Sequence, residues 1–90
     1  MKNLYYTIIN YVQSEMTFEQ VLDGDDMSIG LRQEYVFFDI GNAVKIDEIK
    51  SIIAQKCDEK YGQEKWRLGY AFGTVKENSK YFPQENALIL

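Results

Sequence analysis

Histidine is absent from this 90-residue chain, and cysteine, proline and tryptophan occur once each. The missing imidazole removes the commonest general base and the commonest transition-metal ligand. With Cys57 alone, no intrachain disulfide can form, and no histidine is present to activate the thiol. No apolar run is long enough to cross a bilayer. The opening MKNLYYTIINYV has one lysine and an apolar stretch, but Asn10 interrupts it. Gln13, Ser14 and Glu15 then follow without a small-residue cleavage site. The chain is therefore read as starting at Met1 in a reducing cytoplasm. Repeats, low-complexity tracts and linkers are also missing, so residues 1–90 are expected to form one domain with one core.

What is present is apolar and aromatic. Hydrophobic residues make up 46% of the chain and aromatics 14%, with seven Tyr and five Phe, which excludes a disordered composition. Aromatics anchor interfaces as well as cores, and a domain this small gains stability by dimerising. A homodimer is expected, with some of the rings in its contact.

Charge is lopsided. From Gln13 to Val44 the chain carries seven acids (Glu15, Glu19, Asp23, Asp25, Asp26, Glu34 and Asp39) against the single base Arg32, a local net charge of −6; the remainder nets +2. An acidic surface on a well-cored domain points to a partner that expects negative charge, such as a protein that normally binds nucleic acid.

The pattern predicts an α+β domain: a small, mostly antiparallel sheet packed on one long amphipathic helix, with a helical N-terminal segment. Over residues 4–13, Leu4 or Tyr5, Ile8, Ile9 and Val12 recur at helical spacing, and Asn3 stands where an N-cap would. The same segment is rich in β-branched and aromatic residues, so a strand is the rival; the helix is preferred. Thr17-Phe18-Glu19-Gln20 fits a capping box, predicting a short helix over about 18–23 that stops at Gly24. Met27, Ile29 and Leu31 alternate as a half-buried strand, Gln33-Glu34 read as a turn, and residues 35–40 as a strand apolar on both faces. Ile46, Ile49, Ile53, Cys57 and Tyr61 keep three- and four-residue steps before Gly62, the pattern of an amphipathic helix over about 46–61. Trp66, Leu68, Tyr70 and Phe72 alternate with Arg67, Gly69, Ala71 and Gly73, predicting a strand with one bulky face and one bare face that accepts close packing. The last four residues, Ala87-Leu88-Ile89-Leu90, are apolar and are expected to dock as an edge strand or across a dimer contact.

The acids repay closer reading. If the helix around Thr17 extends back to Ser14, then Glu15, Glu19 and Asp23 share one face at four-residue steps, about 6 Å apart along the axis. Like charges at that spacing oppose helix formation by roughly 0.2–0.5 kcal/mol per pair. The bland reading is a solvated face; acids near a helix N-terminus even favour the dipole, which accounts for Glu15 or Glu19 but not Asp23. The functional reading is a row of carboxylates that imitates the phosphates of a nucleic acid. A calcium loop from Asp23 to Glu34 fails at its fifth position, Met27, and at its sixth, Ser28, where the loop needs glycine. Cys57 lies on an apolar helical stripe and reads as core. Gly69 and Gly73 lie in a strand pattern and form no phosphate loop. The Tyr- and Phe-rich strand suits single-stranded base stacking in principle, but overall acidity opposes it. No metal, cofactor or catalytic activity is expected.

The segments MTFEQVLDGDDMSIGL, EYVFFDIGN and WRLGYAFGTVKEN resemble a small early protein of T-even-type phages. Within that group, size, acidity and the helix-plus-sheet reading are most similar to the Arn anti-restriction family. The resemblance implies a dimeric, non-enzymatic DNA mimic acting in the host cell cytoplasm against McrBC, an endonuclease that cuts DNA containing modified cytosine. It transfers no site residue by motif, so the seven acids are nominated from charge alone. An immunity protein or antitoxin that plugs a toxic nuclease uses the same acidity against another target. A structural or assembly subunit, with aromatics serving oligomerisation, is the reading from a third class.

Overall fold

The computed structural model describes residues 3–13, 15–23, 30–83 and 87–90. The expected stop at Gly24, the turn acids Asp25 and Asp26, and the strand start at Met27 and Ile29 lie outside them. The described residues form a small α+β fold with element order β1 (Asn3–Val12), α1 (Phe18–Asp23), β2 (Leu31–Asp39), α2 (Ile46–Lys60) and β3 (Trp66–Lys76).

The N-terminal segment is a strand, correcting the expected helix. β1 is the central strand of an antiparallel sheet ordered β2-β1-β3. β1 packs on both faces, Ile9 with α2 on one and Val12 with α1 and Tyr6 with Phe37 on the other, so its apolar residues also satisfy a helical stripe by position alone. β-branched and aromatic side chains, which fit a pleated surface, decide the outcome.

Gln33 and Glu34 lie inside β2, paired with Asn10 and Ile9, and form no turn. The apolar C-terminus docks as expected of an edge strand. Leu88 and Leu90 run parallel to β2, the Phe37 and Asp39 amides donate to their carbonyls at 2.9 and 2.7 Å, and the Leu90 amide donates to the Phe37 carbonyl at 2.7 Å. β2 is thereby paired along both edges near its end; its two apolar faces meet α2 through Val36 and Phe38 and the Tyr6 ring through Phe37.

α2 spans 15 residues, about 22 Å at the usual rise, so it is a helix of four turns rather than a long one. Its stripe, Ile49, Ile53 and Cys57, is buried in one cluster with Ile9, Val36 and Phe38 of the sheet and Ile40 just beyond β2. Asp47 and Glu48 in its first turn and Lys60 in its last complement the helix dipole. A second, smaller cluster, Val12, Phe18, Val21 and Leu31, fastens α1 to the end of the sheet where β1 stops and β2 starts.

β3 departs from simple alternation. Its register with β1 shifts between Tyr6 and Thr7 and again between Thr7 and Ile9, so β3 accommodates extra residues as bulges. The predicted bulky face is split. Trp66 sits opposite Tyr11 and Leu68 opposite Ile9 on the α2 side, whereas Phe72 stacks on Tyr6 on the other side. Contrary to expectation, nothing among the described residues packs on a bare face of β3; the close approach at Gly69 is within the sheet, where a Cβ would lie 2.8 Å from the Ile8 carbonyl oxygen of the neighbouring strand β1.

Candidate functional site: the acidic end around α1

Six residues do not make a stable helix alone, so α1 is held by its surroundings. The capping box forms as predicted. The Thr17 amide donates to Gln20 Oε1 at 2.8 Å, and the Gln20 amide donates to Thr17 Oγ1 at 3.2 Å. The Phe18 amide donates to the Glu64 carbonyl at 2.6 Å, and the Phe18 and Val21 side chains are buried. These contacts turn Glu19 and Asp23 to solvent, one helical turn apart, and Glu15 is exposed on the approach to the helix. Because α1 starts at Phe18, Glu15 lies before the helix, and the expected three-residue helical row reduces to Glu19 and Asp23.

Two cations from the second half of the chain pack close by. Lys65 Nζ donates to the Met16 carbonyl at 3.0 Å, and the Arg67 guanidinium lies 5.1 Å from the centre of the Phe18 ring. They offset part of the local negative charge while fastening the segment that carries it.

The remaining described acids are engaged elsewhere. Glu34 is half-buried on the α2 side of the sheet and accepts a hydrogen bond from the Tyr61 hydroxyl at 2.6 Å. Asp39 ends β2, eight residues from Leu31 or roughly 26 Å along the strand. Its Oδ1 accepts from the Gly41 amide at 3.1 Å, and its carbonyl accepts from Lys56 Nζ at 3.2 Å. The fold thus keeps Glu15, Glu19 and Asp23 on one segment and sets Glu34 and Asp39 apart from it. Asp25 and Asp26 follow Asp23 in sequence, outside the described residues.

A cleft of about 660 Å³ opens between the ends of β1 and α2 and is lined by Tyr11, Glu34, Lys60, Tyr61 and Lys65 among others. The Tyr11 and Tyr61 rings stack at 4.6 Å, and Lys60 Nζ lies 5.5 Å from the centre of the Tyr61 ring. Burial, the hydrogen bond to Glu34 and the charge of that carboxylate all push the Tyr61 hydroxyl above its ordinary value. Burial and Glu34 do the same to Tyr11, with Arg32 opposing. Both phenols therefore hold their protons at neutral pH, and neither is poised as a base. Cys57 is fully buried, and burial, with the Asp58 carboxylate adding, pushes its thiol up to about 12. It reads as a core residue, as expected, not as a nucleophile. Among the described residues no cluster of His, Cys, Asp and Glu is arranged to hold a metal ion, and no helix is long and apolar enough to cross a membrane.

Sequence reasoning missed the Tyr61–Glu34 pair and an aromatic sheet face. The pair joins residues 27 apart and left no local pattern. The face was partly visible, since Tyr35 and Phe37 alternate with Val36 and Phe38, but the wrong assignment of β1 hid Tyr6 between them. No family profile, curated protein or solved structure matches the chain.

Proposed function

We propose that this protein is a non-catalytic inhibitor that presents the acidic segment around α1 to the basic nucleic-acid groove of a host defence nuclease, with the McrBC endonuclease as the leading candidate. One observation supports it most: α1 is capped, packed and tied to the body of the fold, yet Glu19 and Asp23 face solvent. A decoy for a phosphate row needs carboxylates in fixed positions rather than chemistry. The acids nominated for contact are Glu15, Glu19, Asp23, Asp25 and Asp26; Glu34 and Asp39 serve the fold. Acting against a cytoplasmic nuclease places the protein in the host cytoplasm, and it requires no cofactor.

The test is inhibition of nuclease cleavage of duplex DNA containing modified cytosine by wild type and by a variant with Glu19→Gln, Asp23→Asn, Asp25→Asn and Asp26→Asn. Wild type is expected to inhibit at low salt and to weaken as salt screens surface charge. The folded variant is expected to lose inhibition. Equal inhibition by both proteins rejects the surface.

A further inference from the structure

Past the end of α2 the chain turns tightly before it enters β3, and contacts hold that turn in shape. Tyr61 caps the helix, its amide donating to the Cys57 carbonyl at 2.8 Å. Gly62 follows at φ +106°, a conformation that side chains rarely adopt. A Cβ there would lie 3.0 Å from Cδ of Lys65, whose side chain folds back over the glycine. Glu64 is the one non-glycine residue at positive φ, 63°, among the described residues. Backbone of that kind persists only where its surroundings hold it. Here the Glu64 carbonyl accepts from the Phe18 amide, the Lys65 amide donates to the Gly62 carbonyl at 3.2 Å, and the Val12 amide donates to the Lys65 carbonyl at 2.9 Å. The turn thus fixes Lys65 on the wall of the 660 Å³ cleft that Lys60 also lines.

The cleft is polarised. Glu34, Tyr11 and Tyr61 are half-buried, while Lys60 reaches solvent. Two ammonium groups face one carboxylate in the cleft, in a chain that carries −4 overall. Glu34 accepts from the Tyr61 hydroxyl at 2.6 Å and also bonds Tyr11. An ionised carboxylate has about four acceptor sites, so two phenols do not saturate it. The space lies within the roughly 300–1,000 Å³ of ordinary small-molecule sites.

We infer that the cleft binds a small phosphate monoester on a hydroxylated body, a sugar phosphate or a nucleotide. Lys60 and Lys65 hold the phosphate, and Glu34 accepts from the hydroxyl groups. A phosphate monoester carries about −1.5 to −2 at neutral pH, which matches two ammonium groups. Glu34 and the negative end of the α2 dipole repel the phosphate from the inner part of the cleft, which sets the orientation: phosphate on the lysines, hydroxyls on the carboxylate. A cationic ligand would meet both lysines, and a bare anion would gain nothing from Glu34. This site uses none of the α1 acids, and ligand binding there is independent of whether they engage a nuclease.

Amide chemical-shift titration tests it, with ribose 5-phosphate, AMP, inorganic phosphate and ribose as probes. Ribose 5-phosphate is expected to move the Val12, Gln13, Tyr61 and Lys65 amides and to bind at least tenfold more tightly than inorganic phosphate or ribose. Equal affinities for AMP and ribose 5-phosphate identify a sugar phosphate site, and tighter AMP a nucleotide site. Lys60 is exposed, so Lys60→Gln should fold as wild type does and weaken ribose 5-phosphate by tenfold or more. Glu34→Gln should bring ribose 5-phosphate down toward inorganic phosphate without weakening the latter; should that variant misfold, Lys60→Gln still decides. Ribose 5-phosphate that moves none of these amides, binding unchanged in Lys60→Gln, or equal affinity for inorganic phosphate or ribose overturns the inference.

Discussion

Raising the pH from 8 to 10 should destabilise this fold through one buried thiol. Cys57 has no exposed surface, and burial, followed by the neighbouring Asp58 carboxylate, moves its pKa from 9.0 to about 12. Between those values the unfolded chain is a thiolate and the folded chain keeps its proton. The unfolded state then binds fewer protons, so stability falls as pH rises. The contribution is fully present below pH 9 and is lost on the way to pH 12. At pH 10 the unfolded chain has gained about 1.4 kcal/mol, the value of RT ln(1 + 10) for a thiol one pH unit above its unfolded pKa. Carried through to pH 12 the loss is on the order of 4 kcal/mol. A 90-residue domain has roughly 5–13 kcal/mol in all, so the effect is large. Tyr11 and Tyr61 are raised too and by pH 10 together add up to about 0.8 kcal/mol to the loss, so the thiol dominates the window from 8 to 9 and remains the larger contributor at 10. The assay is urea unfolding followed by Trp66 fluorescence at pH 8, 9 and 10, on wild type and on Cys57→Ala. The variant should be less stable at pH 8, because it leaves a cavity, nearly flat from pH 8 to 9, and less steep than wild type from 9 to 10. A flat wild type, or a variant that falls as steeply as wild type, would refute the reasoning, as would rapid reaction of the native thiol with a disulfide reagent at neutral pH.

Three further outcomes are expected. Thr17→Ala removes the cap of α1 and should cost about 1 kcal/mol, read as a fall in melting temperature of roughly 4–8 °C. Gly69→Ala drives a Cβ against the backbone oxygen of Ile8 and should destabilise by about 1–3 kcal/mol in the same assay; an unchanged melting temperature contradicts the close approach. Deleting residues 87–90 removes three backbone hydrogen bonds, each worth about 1 kcal/mol, and should abolish hydrogen-exchange protection at the Phe37 and Asp39 amides.

The elements that bury one face were legible in the sequence. α2 showed its Ile49, Ile53 and Cys57 stripe, and the Thr17–Gln20 box announced α1 to the residue, because both signals lie within a few positions of one another. β1 was misread because it packs against α2 on one face and against α1 and the aromatic rings on the other, and apolar residues on both faces erase the period-two pattern that marks a half-buried strand. The same error hid the aromatic face, which exists only once Tyr6 is placed between Phe37 and Phe72. The bulges in β3 are set by pairing with β1, so the alternation of Trp66, Leu68, Tyr70 and Phe72 overstated how many of those rings share a side. Among the nominated acids, Glu15, Glu19 and Asp23 share one segment, but only Glu19 and Asp23 share the helix. Sequence proximity could not show that Glu34 turns toward Tyr61 or that Asp39 closes the far end of β2, because both depend on contacts across the fold.

The most direct test of the central claim is the salt dependence of binding between this protein and a purified nuclease domain with a basic DNA groove, measured with and without competing duplex DNA. The account predicts binding at 50 mM salt, marked weakening by 300 mM, displacement by the duplex, and loss of binding when Glu19, Asp23, Asp25 and Asp26 become amides. Binding that ignores salt, persists beside saturating duplex DNA, or survives removal of those four charges would contradict it.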